Sequence, residues 1–521
     1  MRPLWDFPGG IELPDHTAES TVRPVTTAPI PAELVIPLQQ NSGTAPTVTV
    51  RVGDTVRRGD RLAAPGEAVS AAVHASSSGT VTAIEDRPVP HPSGLPARCV
   101  VIATDGRDAP APPLPAMTED QLTPEGLAER AEACGVVGLG GATFPTHAKL
   151  DAPGDGSVAT LILNGAECEP WISADEMLMR TRAERVIEGA RLTARALQPA
   201  ETVIAVEDDK TETLAALTDA RDAAGAEAIE IVAVPARYPV GGEKQLIQVL
   251  TGREVPSGDV PPSIGVVCLN VATAVALRDA VRDGQPVTQR FISVTGDGVA
   301  EPRVVEARIG TPLTELVALA GGYAHGVDRL IMGGPMMGFS LDTDVMPVTK
   351  GSNCLLAGTT SLFPRPQPAL PCIRCSACSD ACPASLLPQQ LYWYARADDL
   401  EQTEDHQVFD CIECGICAEV CPSHIPLVDY FRYAKDAIRR RDEDRRKAEL
   451  ARQRYEARKE RLAREEAEKR ARREAKKAAL KQGSSKTPGH DERKQAVQDA
   501  LARARQRKRG GGDGNGSEGA D

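Results

Sequence analysis

The 521-residue sequence predicts a multidomain protein of mixed α/β and α+β class. Three observations carry that reading. Strand-like and helix-like stretches alternate between residues 118 and 285, the pattern of a mainly parallel sheet. Short β-branched runs broken by Gly-Asp turns fill residues 45–108, the pattern of a small β-sandwich or barrel. Eight of the 13 cysteines crowd between Cys372 and Cys421. Length allows about three to five domains. With 41% hydrophobic and 26% charged residues the composition is globular, which excludes collagen and wholesale disorder.

The elements follow in chain order. Residues 1–44 are rich in Pro and turn residues and are expected to wrap over a neighbour. In 45–108 the strands are Thr47-Val-Thr-Val-Arg-Val, Ser78-Gly-Thr-Val-Thr-Ala-Ile and Cys99-Val-Val-Ile-Ala, with Gly53-Asp and Gly59-Asp as turns. Prolines over 86–117 mark a linker. In 118–285 the expected strands are Thr160-Leu-Ile-Leu-Asn, Thr202-Val-Ile-Ala-Val and Ile229-Glu-Ile-Val-Ala-Val. The expected helices run over 118–134, 174–196, 210–224, 243–250 and 271–282. Residues 289–345 form a second small β-rich unit, and the cysteine-rich unit spans 366–435. A charged helical to disordered tail occupies 436–521; its apolar residues keep no heptad, so no coiled coil is expected. The Gly-rich end from Gly510 is expected to be disordered.

Charge is split. From Lys435 to Arg509 there are 28 Lys and Arg against 14 Asp and Glu, a net of +14. The rest holds 32 basic and 59 acidic residues, a net of −27. Such an acidic body repels nucleic acid, so no nucleic-acid partner is expected. The tail could meet an anionic surface or an acidic partner; a solvated spacer is the simpler reading. No run of about 18 apolar residues occurs, so no transmembrane helix is expected. The N-terminus has no apolar core of a signal peptide. The expected location is the cytoplasm, with any membrane association peripheral.

In a reducing compartment a dense cysteine cluster reads as metal ligation rather than disulfides. Cys372-Ile-Arg-Cys375-Ser-Ala-Cys378-Ser-Asp-Ala-Cys382-Pro recurs as Cys411-Ile-Glu-Cys414-Gly-Ile-Cys417-Ala-Glu-Val-Cys421-Pro. Three closely spaced thiolates wrap one face of a cubane, and the fourth cysteine before Pro ligates the other cluster. The spacing therefore assigns Cys372, Cys375, Cys378 and Cys421 to one [4Fe–4S] centre. It assigns Cys411, Cys414, Cys417 and Cys382 to a second. Zinc would typically pair C-x₂-C units across a longer loop. Two clusters imply electron transfer. The other five cysteines, Cys99, Cys134, Cys168, Cys268 and Cys354, read as small buried residues.

Gly135-Val-Val-Gly138-Leu-Gly140-Gly141, ending at Lys149, offers bare amides and a cation that can cradle a phosphate. It is not a dinucleotide fingerprint: the spacing differs, and a helix rather than a strand precedes it. Asn164-Gly-Ala-Glu167-Cys168-Glu169 follows a strand, at the end where α/β sheets bind ligands. Tyr238-Pro-Val-Gly-Gly-Glu243-Lys244 and Leu269-Asn270 complete four elements. Core packing is the alternative for Phe144 and Tyr238 taken singly, and a surface role for His147.

Together these elements resemble the flavin subunit of respiratory complex I. The match is closer to the RnfC (RsxC) family, the NADH-side subunits of Rnf ion-translocating electron transport complexes. Trp5-Asp-Phe-Pro-Gly-Gly-Ile, Gly140-Gly-Ala-Thr-Phe-Pro-Thr-His-Ala-Lys, Asn164-Gly-Ala-Glu-Cys-Glu-Pro, Gly333-Gly-Pro-Met-Met-Gly and both cysteine motifs carry the resemblance, which covers about residues 5–440. It implies an N-terminal barrel-sandwich hybrid of lipoyl type, here with no Lys before Lys149 to carry a cofactor. It implies an FMN-binding α/β domain over 118–285, an SLBB β-grasp-like domain over 289–345, and a bacterial two-cluster ferredoxin domain.

The resemblance places non-covalent FMN on Gly138, Gly140, Gly141, Lys149, Asn164, Glu167, Tyr238, Glu243 and Asn270. It places NAD(H), as substrate, against Phe144 and Glu169. No catalytic side chain is implied, because flavin carries the hydride. The family has Asp at the position of Ala166 and Glu at that of Lys244, which puts those contacts in question. The implied activity is that of an NADH:ferredoxin-type oxidoreductase, the translocase component passing electrons among NAD(H), FMN and two clusters. Its implied partners are the other Rnf subunits and ferredoxin or a small iron–sulfur subunit, at the cytoplasmic face of the inner membrane. The alternatives are a PduS-type cobalamin reductase, or a two-cluster relay without flavin.

Overall fold

A computed structural model describes residues 2–66, 69–151, 157–483 and 489–509. It divides into two units, residues 1–438 and 439–521. The Gly-rich end from Gly510 lies outside the described residues.

The first β module is two small sheets. One runs Glu33–Pro37, Ala97–Thr104, Gly79–Arg87, Thr55–Val56, all antiparallel. The other is Thr47–Val48, Arg61–Ala64, Val73–His74. Leu34, Ile36, Leu62, Val81, Val100 and Ile102 interdigitate between them, without solvent contact. The two Gly-Asp turns share one device. Gly53 and Gly59 take φ of +95° and +98°, open to glycine at little cost. Asp54 and Asp60 then accept hydrogen bonds from the amides of Arg51 and Arg57, at 2.8 and 2.7 Å. The module reaches beyond its expected start at residue 45, because Glu33–Pro37 supplies an apolar face to the sheet. The Pro-rich stretch 86–117 is interrupted too: Ala97–Thr104 is a full strand, its prolines lying outside the ladder.

The α/β domain has one four-stranded parallel sheet, ordered Ile229–Val234, Glu201–Glu207, Thr160–Asn164, Val266–Asn270. Its strands are apolar runs because both faces are covered. The helix Pro124–Ala133 starts where Thr123 accepts from the Gly126 amide and Pro stands at the first position. The expected helix 174–196 is two helices, Ala174–Thr181 and Ala183–Leu197, broken at Arg182. The second crosses Val271–Arg282 so closely that a Cβ at Gly189 would lie 2.3 Å from the Ala274 carbonyl oxygen.

The next unit is a six-stranded sheet ordered Thr26–Thr27, Arg303–Arg308, Gln289–Thr295, Cys354–Thr359, Val327–Met332, Phe339–Leu341. Cys354–Thr359 lies past residue 345 yet holds a central position, because its apolar run is buried.

The cysteine-rich unit is a duplication offset by 39 residues, as Cys372 and Cys411 show. The short helices Ala377–Asp380 and Ile416–Glu419 correspond. So do the left-handed residues Arg374 and Glu413, Ser376 and Gly415, Ser385 and His424, with φ between +51° and +83°. Left-handed non-glycine residues cost about 1 kcal/mol each, so their recurrence marks a loop shape imposed by the motif.

In residues 439–521 the described chain is helical: the remainder of Leu427–Gly483, then His490–Arg509. Its exposed charges pair along the helix, as Lys447 does with Glu443 at 2.9 Å. Among the described residues no helix is long and apolar enough to cross a membrane.

Candidate functional site

The C-terminal ends of the parallel strands gather the predicted residues. Asn164 and Asn270 end neighbouring strands and are register partners. Asn164 donates to the Gly241 carbonyl at 2.8 Å and accepts from the Ala166 amide at 3.1 Å. Asn270 caps the helix Val271–Arg282, accepting from the Ala272 amide at 2.8 Å. Its amide group donates to Asp175.

The glycine-rich loop arches over this edge. The Gly138 amide donates to the Phe144 carbonyl at 2.7 Å and the Thr143 amide returns to the Gly138 carbonyl at 3.0 Å. Three outside groups fix the loop. Thr273 accepts from the Leu139 amide at 2.9 Å, and the buried Arg290 donates to the Leu139 carbonyl at 2.6 Å. The Ser42 hydroxyl donates to the Ala142 carbonyl at 2.9 Å. Gly140 lies against Asn270: a Cβ there would be 3.1 Å from its Nδ2. Gly141, at φ +111°, meets nothing within 4 Å on that side. Phe144 stands exposed on the loop.

Lys149 reaches the same edge from the helix Thr146–Asp151. It pairs with Glu243 and donates to the Cys268 carbonyl at 3.1 Å. Burial opposes its charge, but Glu243 more than offsets this and holds its pKa above the ordinary lysine value. Glu167 accepts from the Asp175 and Glu176 amides at 3.0 and 3.2 Å, at the start of Ala174–Thr181. Burial, with Asp175 beside it, pushes its pKa well up. Arg290 faces both carboxylates.

These residues fit a polar guest. Thr146 Oγ1, His147 Nδ1 and Gln245 Oε1, flanking Lys149 and Glu243, are buried and without a protein partner. Buried polar atoms are rarely left so. The half-buried Asn164, Asn270, Lys149 and Glu243 leave the strand ends accessible.

Two predicted residues turn elsewhere. Glu169 accepts from the Met336 and Met337 amides at 2.7 and 3.0 Å. Tyr238 is buried, and its hydroxyl donates to the Cys414 carbonyl at 2.8 Å. Lys244 faces Asp410 at 3.7 Å, immediately before Cys411. Its positive charge, where the resemblance implies a carboxylate, thus has a partner in the cysteine-rich unit.

The eight cysteines separate into two sets. Cys372, Cys375, Cys378 and Cys421 line one cavity of about 600 Å³, beside Ile373, Trp393 and Ile425. Cys414 and Cys417 are buried, and Cys411, Cys414, Cys417 and Cys382 act on one another electrostatically. Among the described residues no three His, Cys, Asp or Glu side chains close around a single-ion position. Four thiols around a roomy, partly apolar cavity suit a larger guest with soft ligands. The second set docks on the α/β domain. Gln245 donates to the Pro383 carbonyl at 3.2 Å, and the Gly10 amide to the Ala381 carbonyl at 3.1 Å.

Sequence reasoning overlooked Thr273, Arg290 and Cys168. The Cys168 thiol accepts from the Gly241 amide at 3.3 Å and shares an apolar cluster with Tyr238, Cys414 and Ile416. Of the rest, Cys99, Cys134, Cys268 and Cys354 are buried.

Residues 131–279 match the family model described as the Nuo51 FMN-binding domain. Residues 5–107 match the RnfC barrel sandwich hybrid domain, 291–340 the SLBB domain, and 368–425 the 4Fe-4S dicluster domain. Relatives named as the RnfC component of an ion-translocating oxidoreductase complex occur in Pseudomonas aeruginosa, Serratia proteamaculans and Yersinia pestis bv. Antiqua. They are 49%, 46% and 45% identical over 88%, 87% and 87% of this chain. The chain spans 58%, 64% and 73% of their respective lengths. A solved structure of NAD+-reducing [NiFe]-hydrogenase, H2-reduced, is 20% identical with a TM-score of 0.44, covering 62% of this chain and 64% of its own.

Proposed function

The chain belongs to the RnfC family of ion-translocating oxidoreductase complexes, and on that premise we propose that it is a peripheral electron-transfer subunit of such a complex. It exchanges electrons with NAD(H) and passes them through two clusters to membrane subunits and to ferredoxin or a small iron–sulfur subunit. Ion transport resides in those partners, and the expected place is the cytoplasmic face of the inner membrane.

One observation carries the reading: the second cysteine set is docked, through Tyr238 and Gln245, onto the strand ends that hold Asn164 and Asn270. FMN, when bound, converts a hydride into single electrons. Gly138, Gly140 and Gly141 would leave room for its phosphate, and Lys149 would supply a cation. Asn164, Glu167, Glu243 and Asn270 would orient its ring and chain. Phe144, exposed on the loop, would stack on the dinucleotide. Cys372, Cys375, Cys378 and Cys421 would hold one cluster, and Cys411, Cys414, Cys417 and Cys382 the other. The cobalamin-reductase alternative is not carried further, since the similarity runs to RnfC proteins.

Anaerobic reconstitution followed by iron, sulfide and flavin analysis tests this. The expected result is about eight irons per chain, one non-covalent FMN, and bleaching by NADH. Irons without flavin, and no response to NADH, would leave only a two-cluster relay.

A further inference from the structure

We propose that Glu169 and Tyr238 are positioning residues that hold the second cysteine motif in register with the ligand edge of the α/β sheet. The proposal rests on reading Cys382, Cys411, Cys414 and Cys417 as the ligands of one cluster.

Four chain segments meet at this pair. Glu169 follows the strand Thr160–Asn164. Tyr238 follows Ile229–Val234. Met336 and Met337 form the tip between Val327–Met332 and Phe339–Leu341. Cys414 and Gly415 belong to the second cysteine motif. One oxygen of Glu169 accepts from both methionine amides, at 2.7 and 3.0 Å. Its other oxygen lies 3.3 Å from the Tyr238 hydroxyl, which gives its shorter bond, 2.8 Å, to the Cys414 carbonyl.

The approach is too close for side chains. A Cβ at Gly334 would stand 2.1 Å from Glu169 Cγ, and one at Gly415 would stand 2.7 Å from the Met336 carbonyl oxygen. Apolar contact seals the node, with Tyr238, Cys414 and Ile416 clustered beside Ile11, Cys168 and Met336. A carboxylate beneath two backbone amides serves the protein's own junction. Glu169 therefore acts here, in place of the ribose contact that the resemblance implies.

The consequence is functional. Electron tunnelling falls steeply with distance, and hydrogen bonding around a cluster ligand tunes its potential. A clamp on the Cys414 carbonyl bears on both. Neither residue is called catalytic, because each acts through the backbone of a ligand loop.

The test compares full-length wild type with Glu169→Ala, Glu169→Gln and Tyr238→Phe. Hydrogen exchange at Met336 and Met337 and across 411–417 is measured, with the KM for NADH and the midpoint potential of each cluster. In Glu169→Ala we expect amide exchange at Met336 and Met337 to accelerate at least about tenfold. In Tyr238→Phe the second cluster's potential shifts, while the KM for NADH stays within about twofold. Glu169→Gln, which keeps an accepting oxygen, recovers much of the protection. A KM raised about tenfold or more with exchange and potentials unchanged would make Glu169 a dinucleotide ligand and overturn the proposal. Should the wild type bind no second cluster, the reading of the cysteines fails. Exchange needs no cluster, so it still decides the clamp.

Discussion

Asn164 and Asn270 are paired in register at the C-terminal ends of adjacent parallel strands, and each spends one oxygen on its own following turn. Their amide groups then diverge, one to the Gly241 carbonyl and one to Asp175. Two short polar side chains thereby tie the loop after each strand to a different neighbour, and the strand ends stay open between them.

Replacing Asn270 by Ala removes a helix cap, which costs about 1 kcal/mol. It also removes a donor from the buried Asp175, a further loss of about 1–3 kcal/mol. Denaturant titration should show that combined loss. Flavin content should fall in parallel, since the loop at Gly140 rests on the same side chain.

Gly140 and Gly141 should respond differently to alanine. At Gly140 the new methyl presses on Asn270, so flavin affinity should drop about tenfold, or 1.4 kcal/mol. At Gly141 space is free but φ is +111°, so the cost is folding stability, about 1 kcal/mol. Flavin titration alongside thermal unfolding separates the two.

The cysteine sets predict a crossed pattern. Cys421→Ser should abolish the same electron paramagnetic resonance signal as Cys372→Ser, leaving about four irons. Cys382→Ser should abolish the signal that Cys411→Ser abolishes. If Cys421→Ser instead matches Cys411→Ser, each motif binds its own cluster and the assignment is wrong.

Lys350 is fully buried and donates to the carbonyls of Ala72 and Gly135, both at 2.7 Å. Burial pushes its pKa down to about 7, with Cys134 opposing. Beside it, burial and then Lys350 push His74 down to about 3. Between about pH 7 and the ordinary lysine value the unfolded chain binds the extra proton, so stability rises with pH. The slope is at most about 1.4 kcal/mol per pH unit. Unfolding measured from pH 7 to 9 should show this rise, and Lys350→Met should flatten it. An equal slope in both proteins would place the titration elsewhere.

Much of the architecture was legible because it follows from local chemistry. The C-x₂-C-x₂-C-x₃-C-P spacing announces two equivalent metal-binding loops, and the structure repeats their left-handed residues one for one. Apolar runs alternating with helical stretches announce a parallel sheet. The break at Arg182 was not legible, since its flanks read as one amphipathic helix and only packing decides where it bends. Thr273 and Arg290 gave no sequence signal: their roles consist of reaching the Leu139 amide and carbonyl from distant elements.

By itself the sequence determined the kinds of site: thiolate motifs, a glycine-rich loop ending in Lys149, and asparagines placed after strands. Each depends on residues near one another in the chain. Only the tertiary structure decided partners across domains. It brought Cys421 to Cys372, set Lys244 against Asp410, and turned Glu169 and Tyr238 toward Met336 and Cys414. Those pairings depend on how separate sheets and loops pack, and no short-range pattern encodes which carboxylate will find which amide.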